Sequence, residues 1–350
     1  MDDRHFARID GLRAVSVLLV LTIHSKVTLL HRYLHGWIGV TIFFVISGFL
    51  ITTLLLREES RTGRINLSGF YIRRVFRILP LYYLALALTC IAVALRLADD
   101  PSPFWPRLVY FLTYTNEFAP DGTFGHTWSL GIEEKFYLIW PAVAFLIPVA
   151  VKRRGWIGAT VLATTSVLGL VAPSTYVGLY APILAGCVLA LVLNNPRGFE
   201  IASQAAKPTL GIAFLALFVL AVVVNPENTH MQVLVGLTAT LAFPFLLFGP
   251  PRIMGWLAHP WLMHVGTLSY AIYLFHPLIG SAVSAVIPTE RGVAYSLLHL
   301  LGMTVATIAF AEIMRRLVEA PLIARGRAIA NRKGSSLPLA QEQAPSTLPL

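Results

Sequence analysis

The sequence predicts an all-α polytopic membrane protein of about ten transmembrane helices. Three observations carry that prediction. Hydrophobic residues make up 56% of the 350-residue chain and charged residues only 13%, against about 25% charge in a usual soluble domain. Apolar stretches close to the roughly 20 residues needed for a span recur from end to end. Threaded as ten alternating spans, they leave 21 of the 27 Lys and Arg on the side shared by both termini, which places the termini in the cytoplasm.

The spans read, in order, at about 12–30, 37–56, 79–97, 134–151, 156–172, 176–193, 209–224, 231–248, 267–287 and 293–314. The first is long and lacks a small-residue cleavage site, so it is expected to be retained rather than removed as a signal peptide. Leu108 to Thr115 is too short to span and is expected to dip into the membrane or lie on it. Only Pro173-Ser174-Thr175 separates the fifth and sixth spans, which suits a tight hairpin, with one bent helix as the alternative. From about Arg325 to Leu350 the chain is rich in Gly, Ser, Pro and Gln and is expected to be a disordered cytoplasmic tail, leaving residues 1–324 as the membrane-embedded domain. Cys90 and Cys187 fall inside spans and form no disulfide framework, metal pair or redox motif, so no metal is expected. A basic cytoplasmic face meeting anionic lipid accounts for the net charge of +10 without nucleic acid. The location expected is the cell membrane, as a multi-pass protein.

Ionisable groups inside spans are costly and often mark a site or a pathway. In "DGLRAVSVLLVLTIHS", Asp10 to Ser25, Arg13 and His24 stand eleven residues apart. On a helix that is about three turns and about 16 Å, so both share one face. Alone, Arg13 fits a snorkelling anchor and His24 an interhelical hydrogen bond. Together they suggest a polar corridor running inward from the cytoplasm. In "FYIRRVFRILP", Phe70 to Pro80, Arg73, Arg74 and Arg77 crowd the start of the third span, with Arg74 and Arg77 on one helical face. Each fits positive-inside anchoring. As a cluster with Arg13 they suit a clamp for a large anionic cytoplasmic ligand, since guanidinium pairs bidentately with phosphate.

Further along, "FFVISGFLIT" holds the small pair Ser47-Gly48 among bulky residues, suited to close helix packing or to close approach of an acyl chain or His24. "GHTWSLGIEEKFYLIWP" gathers His126, Trp128, Ser129, Glu133, Glu134 and Tyr137 where the long outer loop meets the fourth span. Interfacial aromatics and the helix dipole explain part of that composition. A carboxylate at the depth of His24 can also orient an imidazole as general base. Adjacent glutamates point about 100° apart, so at most one faces His24, and the sequence leaves open which. "LSYAIYLFHP" sets Ser269, Tyr270, Tyr273 and His276 in the ninth span as a hydrogen-bonded stripe holding helices together, with Tyr273 and His276 as candidate site lining. His5, His31, His35, His230, His259, His264 and His299 carry no motif and read as loop, interfacial or packing residues.

Taken together, these five stretches resemble the acyltransferase 3 family of integral membrane acyltransferases, in the family's order and from about residue 8 to 320. The resemblance implies ten helices with cytoplasmic termini. It also implies transfer of an acyl group, commonly acetyl, from cytoplasmic acyl-CoA to a hydroxyl of a sugar, surface polysaccharide or antibiotic. Arg13 and His24 match the family's essential pair in the first helix, Arg74 and Arg77 its arginine pair before the third, and Glu133 and Glu134 its glutamate-rich motif before the fourth. Lys135 departs from the pattern, standing where members commonly have Gln. "STYVGLYAPILAGCVLA", Ser174 to Ala190, keeps the small-residue pattern but lacks a charged residue that members often have before it. Some members carry an extracytoplasmic hydrolase-like domain, and this chain is expected to act alone or with a separate partner.

The function expected from the resemblance is an O-acyltransferase, foremost an O-acetyltransferase. Acyl-CoA (acetyl-CoA) is the co-substrate and no cofactor is permanently bound. Arg13, Arg73, Arg74 and Arg77 bind the coenzyme A phosphates, His24 is the general base and Glu133 or Glu134 orients it. Ser47, Gly48, His126, Trp128, Ser129, Tyr137, Tyr273 and His276 are candidate lining. The partners are acyl-CoA, the lipid bilayer and a carbohydrate or glycosylated small-molecule acceptor, such as a polysaccharide or a macrolide. A transporter or flippase of a glycan or lipid-linked substrate is the rival. Intramembrane charge fits it too, but the inverted repeats it favours are not evident.

Overall fold

The computed structural model describes residues 3–23, 27, 35–97, 104–119, 121–172, 176–224 and 229–335, and among these no strand occurs. The helices are α1 (Asp3–Ile23), α2 (Ile38–Thr62), α3 (Leu67–Ala94), α4 (Phe104–Leu112), α5 (Trp128–Leu146), α6 (Pro148–Val171), α7 (Ala181–Leu193), α8 (Pro196–Ala205), α9 (Pro208–Val223), α10 (Thr229–Phe248), α11 (Pro260–Ser284), α12 (Val293–Met314) and α13 (Ala320–Ser335). Among the described residues, six helical stretches are long and apolar enough to cross a membrane, or eight if two bent pairs each count as one. The bent pairs are α8 with α9, at 75°, and residues 232–248 with Pro251–Ala258, at 108°. Two other long helices, α1 and α5, carry Arg8, Asp10 and Arg13 in one and Glu133, Glu134 and Lys135 in the other. The charges that make these two helices poor spans by composition include the groups that build the site.

The bundle is solvated as a membrane protein is. Ile91, Leu138, Leu220, Leu301 and Val305 are exposed on outward faces, where lipid can cover them without cost. Inside, small residues bring backbones together. A Cβ on Gly48 would stand 1.8 Å from the Ile183 carbonyl oxygen, and one on Gly186 2.1 Å from that of Val45, so α2 and α7 cross in direct backbone contact. Packing is thus the use made of Gly48. Arg8 is buried. It donates to the carbonyls of Leu247 and Gly249, both at 2.8 Å, and so closes the C-terminal end of α10, whose last carbonyls have no intrahelical donor.

Two expectations change in detail. The third helix begins at Leu67, twelve residues before the apolar run, because the Asn66 side chain caps it by accepting from the Gly69 N–H at 2.8 Å. Arg73, Arg74 and Arg77 therefore lie inside the helix. The tail expected to be disordered from Arg325 is helical through Ser335. Its Gly326 seats against Phe76 and its Ala330 is buried, contacts that composition alone does not report; residues 336–350 lie outside the described residues. A π-turn at Arg315–Glu319 joins α12 to α13. Pro321 follows directly, and its ring would clash with the carbonyl four residues back in a regular helix, which the wider turn relieves. The hairpin reading of the fifth and sixth spans holds over the bent-helix one, since the turn at Tyr176–Tyr180 and α7 both pack against α6.

Candidate functional site

Five helices converge on a cavity of about 160 Å³ beside the N-terminal half of α1, called the inner cavity for its place nearer the start of that helix. Arg13 reaches it from α1, Ser47 from α2, Arg74 and Arg77 from α3, and Ser129, Glu133, Glu134 and Tyr137 from α5, while α11 adds Ser269, Tyr270 and Tyr273. The 3.6-residue period explains the α3 pattern. Arg74 and Arg77 lie one turn apart and face inward, while Arg73 is rotated by about 100°. Arg73 instead approaches Glu58 at 3.5 Å and is not among the cavity residues. Gly48 likewise lines no described cavity.

Within this chamber the polar groups are organised. Ser47 donates to Glu133 Oε1 at 2.7 Å, and the Tyr137 hydroxyl donates to Ser47 Oγ at 3.0 Å. The Arg74 guanidinium lies 5.0 Å from the centre of the Tyr137 ring and 5.6 Å from that of Phe70, a cation–π arrangement. Asp10 approaches Arg13 at 3.8 Å, and Arg77 and Glu319 are within electrostatic reach of Arg13. Glu134 makes no hydrogen bond to another described residue, although Glu133 and Arg74 act on it electrostatically. Fixed guanidinium groups beside carboxylates can hold an anion at the mouth and manage a proton deeper in.

A second, larger cavity of about 980 Å³ lies toward the other end of the bundle. Val20 and Ile23 of α1, Trp37, Thr89, Phe124, His126, Trp128, His276 and His299 line it. Val40 and Tyr273 line both cavities. The loop that carries His126 is pinned from below. Asn116 donates to the Tyr82 hydroxyl at 2.8 Å and to Thr127 Oγ1 at 2.6 Å, and Tyr82 donates to the Phe111 carbonyl at 2.8 Å. Tyr273 donates to the His126 carbonyl, Ser129 and Tyr273 hydroxyls lie 2.8 Å apart, and the His126 and His276 rings are 5.2 Å apart. Lys135 folds back to Glu117 at 2.7 Å and donates to the Tyr114 carbonyl at 2.7 Å, tying the outer loop to α5.

The residues singled out from sequence thus fall into two chambers. Arg13, Ser47, Arg74, Arg77, Ser129, Glu133, Glu134 and Tyr137 line the inner one, His126, Trp128 and His276 the outer one, and Tyr273 both. His24 lies outside the described residues. Sequence reasoning missed Asn116, Glu117 and Thr89, which sit in no motif. It also set aside His299, which lines the outer cavity and lies 3.0 Å from Ser284 Oγ. No group of three or more potential metal ligands occurs among the described residues.

Comparison with known proteins follows the same outline. A family model described as "Acyltransferase domain" matches residues 6–316. A protein of Staphylococcus aureus (strain MRSA252) named Putative O-acetyltransferase is 27% identical over 370 residues, covering 96% of this chain and 60% of that protein. The Putative peptidoglycan O-acetyltransferase YrhL of Bacillus subtilis (strain 168) and the Peptidoglycan O-acetyltransferase OatA of Listeria monocytogenes are each 28% identical, covering 92% of this chain and 56% of theirs. The chain therefore spans somewhat over half the length of the curated relatives it matches. No solved structure matches it.

Proposed function

Because the chain belongs to the acyltransferase 3 family, we propose that it is a membrane-bound O-acyltransferase, foremost an O-acetyltransferase, that takes its acyl group from cytoplasmic acyl-CoA. One observation carries the reading: Arg13, Arg74 and Arg77 from two helices share a single cavity with Glu133 and Glu134, and that cavity adjoins the outer one at Val40 and Tyr273. The ten long helical segments, counting α1 and α5, support ten spans with both termini in the cytoplasm. In that orientation the arginines face the compartment that holds coenzyme A.

The guanidinium groups bind the phosphates of coenzyme A, and the pantetheine arm extends along α1. His24 removes the proton of the acceptor hydroxyl as its oxygen attacks the thioester carbonyl. The carbon–sulfur bond breaks, an ester forms, and the proton returns to the departing thiolate. A positioned base contributes about 10²- to 10⁴-fold. Glu133, held by Ser47, or Glu134 is the carboxylate that supports the imidazole. The acceptor is a carbohydrate hydroxyl in the outer cavity. Relatives named peptidoglycan O-acetyltransferases make cell-wall glycan the first acceptor to try, with other polysaccharides and macrolides next.

The test is purified protein in lipid nanodiscs with radiolabelled acetyl-CoA and glycan fragments. Label is expected to move to the acceptor, and His24→Ala to abolish the transfer. Passage of a glycan across reconstituted vesicles with no acylation would instead make the protein a transporter.

A further inference from the structure

We propose that the hydroxyl of Ser269 is a binding group for the acyl donor, giving its hydrogen bond to a carbonyl oxygen of the acyl-pantetheine arm. The assignment rests on the acyl-CoA reading above. It comes from accounting for every hydroxyl hydrogen in the inner cavity, since each hydroxyl has one to give.

Six hydroxyl side chains line that cavity: Ser47, Ser129, Tyr137, Ser269, Tyr270 and Tyr273. Ser47 gives its hydrogen to Glu133, and Tyr137 gives its own to Ser47. Tyr270 donates to the Ile78 carbonyl at 2.9 Å. Tyr273 donates to the His126 carbonyl, so in its 2.8 Å contact with Ser129 the serine is the donor. Five hydrogens are thus committed. Ser269 is 1% exposed and its Oγ has no hydrogen-bond partner in the protein.

The usual escape for a helical hydroxyl is a bond to a carbonyl three or four residues back. Other helical hydroxyls take it: Thr267 bonds to the His264 carbonyl at 2.7 Å, and Ser16 to that of Leu12 at 2.8 Å. Ser269 does not. Buried polar groups are nearly always paired, so an unpaired one facing a cavity points to a ligand. Ser166 and Thr307 are also buried and unpaired, but they line neither cavity and carry no such inference.

Position selects the ligand group. Ser269 lies nine residues into α11, about 13.5 Å along its axis, and one turn on the inner side of Tyr273, where the two cavities meet. Phosphates are met by the arginines. A single neutral donor at this depth complements a neutral acceptor, and the acyl-pantetheine arm offers amide and thioester carbonyls there.

The experiment compares wild type, Ser269→Ala and Ser269→Thr in nanodiscs. The ligands are acetyl-CoA and adenosine 3′,5′-bisphosphate, the latter carrying phosphates but no arm. For Ser269→Ala, affinity for acetyl-CoA and its KM are expected to weaken about tenfold, the value of one hydrogen bond. Binding of the bisphosphate and the acceptor KM stay unchanged. The melting temperature is unchanged or higher, because the hydroxyl removed has no protein partner. Ser269→Thr recovers most of the affinity. Equal acetyl-CoA affinity in Ser269→Ala and wild type overturns the assignment, as does a parallel loss for the bisphosphate or a fall in melting temperature. If wild type binds neither ligand, the acyl-CoA reading itself fails and the Ser269 assignment falls with it.

Discussion

The inner and outer cavities are built on opposite principles. The inner one is small, about 160 Å³, and lined by three arginines, two glutamates and hydroxyls that are nearly all committed to one another. The outer one is about 980 Å³ and has no arginine, lysine or glutamate among its described lining residues, only histidines, hydroxyls, aromatic and aliphatic groups and one aspartate. A chamber whose dipoles are fixed in advance binds one ligand well and adapts poorly, because preorganised groups need no rearrangement. A roomy chamber without fixed cations tolerates variety. Under the proposed function, the acyl donor belongs to the inner cavity and the acceptor to the outer one.

The strongest way to break that division is at Arg74. Arg74→Ala is expected to lower kcat/KM for acetyl-CoA by about 10²-fold, the scale of losing a charge-assisted hydrogen bond pair. The acceptor KM should not move. Arg74→Lys should recover only part, since an ammonium cannot reproduce both the planar stacking on Tyr137 and bidentate pairing. Initial rates with each substrate varied separately check both points. A shift in acceptor KM alone would reverse the assignment of the two chambers. Next in size is Ser47→Ala, which removes a donor from Glu133 and an acceptor from Tyr137. About a tenfold fall in kcat is expected, with a lower melting temperature, because Glu133 and Tyr137 both lose a partner.

How far this division could be read from sequence depends on the range of the signal. Arg13, Arg74, Arg77, Glu133 and Glu134 were legible because charge inside an apolar run or clustered at its entry is a local anomaly with a physical cost. The divergence of Arg73 from Arg74 was implicit in the helical period. The bond from Ser47 to Glu133 crosses 86 residues, and no local pattern encodes it. Nor did the hydropathy pattern give the true start of α3, because an amphipathic first turn with arginines reads as a loop. The separation into two chambers was invisible for the same reason: it depends on which faces of α2, α5 and α11 meet. Glu117 and Asn116 sit in a loop with no periodicity at all.

That loop supplies a third, smaller test, because Asn116 holds Thr127 beside His126 of the outer cavity. Lys135 neutralises Glu117, which is 3% exposed. Lys135→Gln leaves a buried carboxylate without its cation. The expected cost is about 1–3 kcal/mol, less than for a fully buried pair because Lys135 is partly solvated. It should be read as a lower melting temperature and faster proteolysis between residues 104 and 127. Adding Glu117→Gln should restore most of the loss, since two amides can pair without a buried charge. A double variant no better than the single one would mean that the loop is held by Asn116 and Tyr82 rather than by the ion pair.

The smallest expected effect probes the outer chamber at its rim. Ala285 is exposed and lines that cavity at the end of α11, so a larger side chain there meets solvent or substrate rather than packed core. Ala285→Trp should narrow the opening without touching the inner cavity. For a long glycan acceptor, KM is expected to rise about threefold, well under 1 kcal/mol. For a monosaccharide acceptor it should stay the same, and the KM for acetyl-CoA should not move. The size dependence is the informative part. A penalty equal for both acceptors would mean that the tryptophan perturbs the helix end and not the passage. A penalty on acetyl-CoA would mean that the two cavities share one occupant, and the contrast between a fixed donor chamber and an adaptable acceptor chamber would no longer hold.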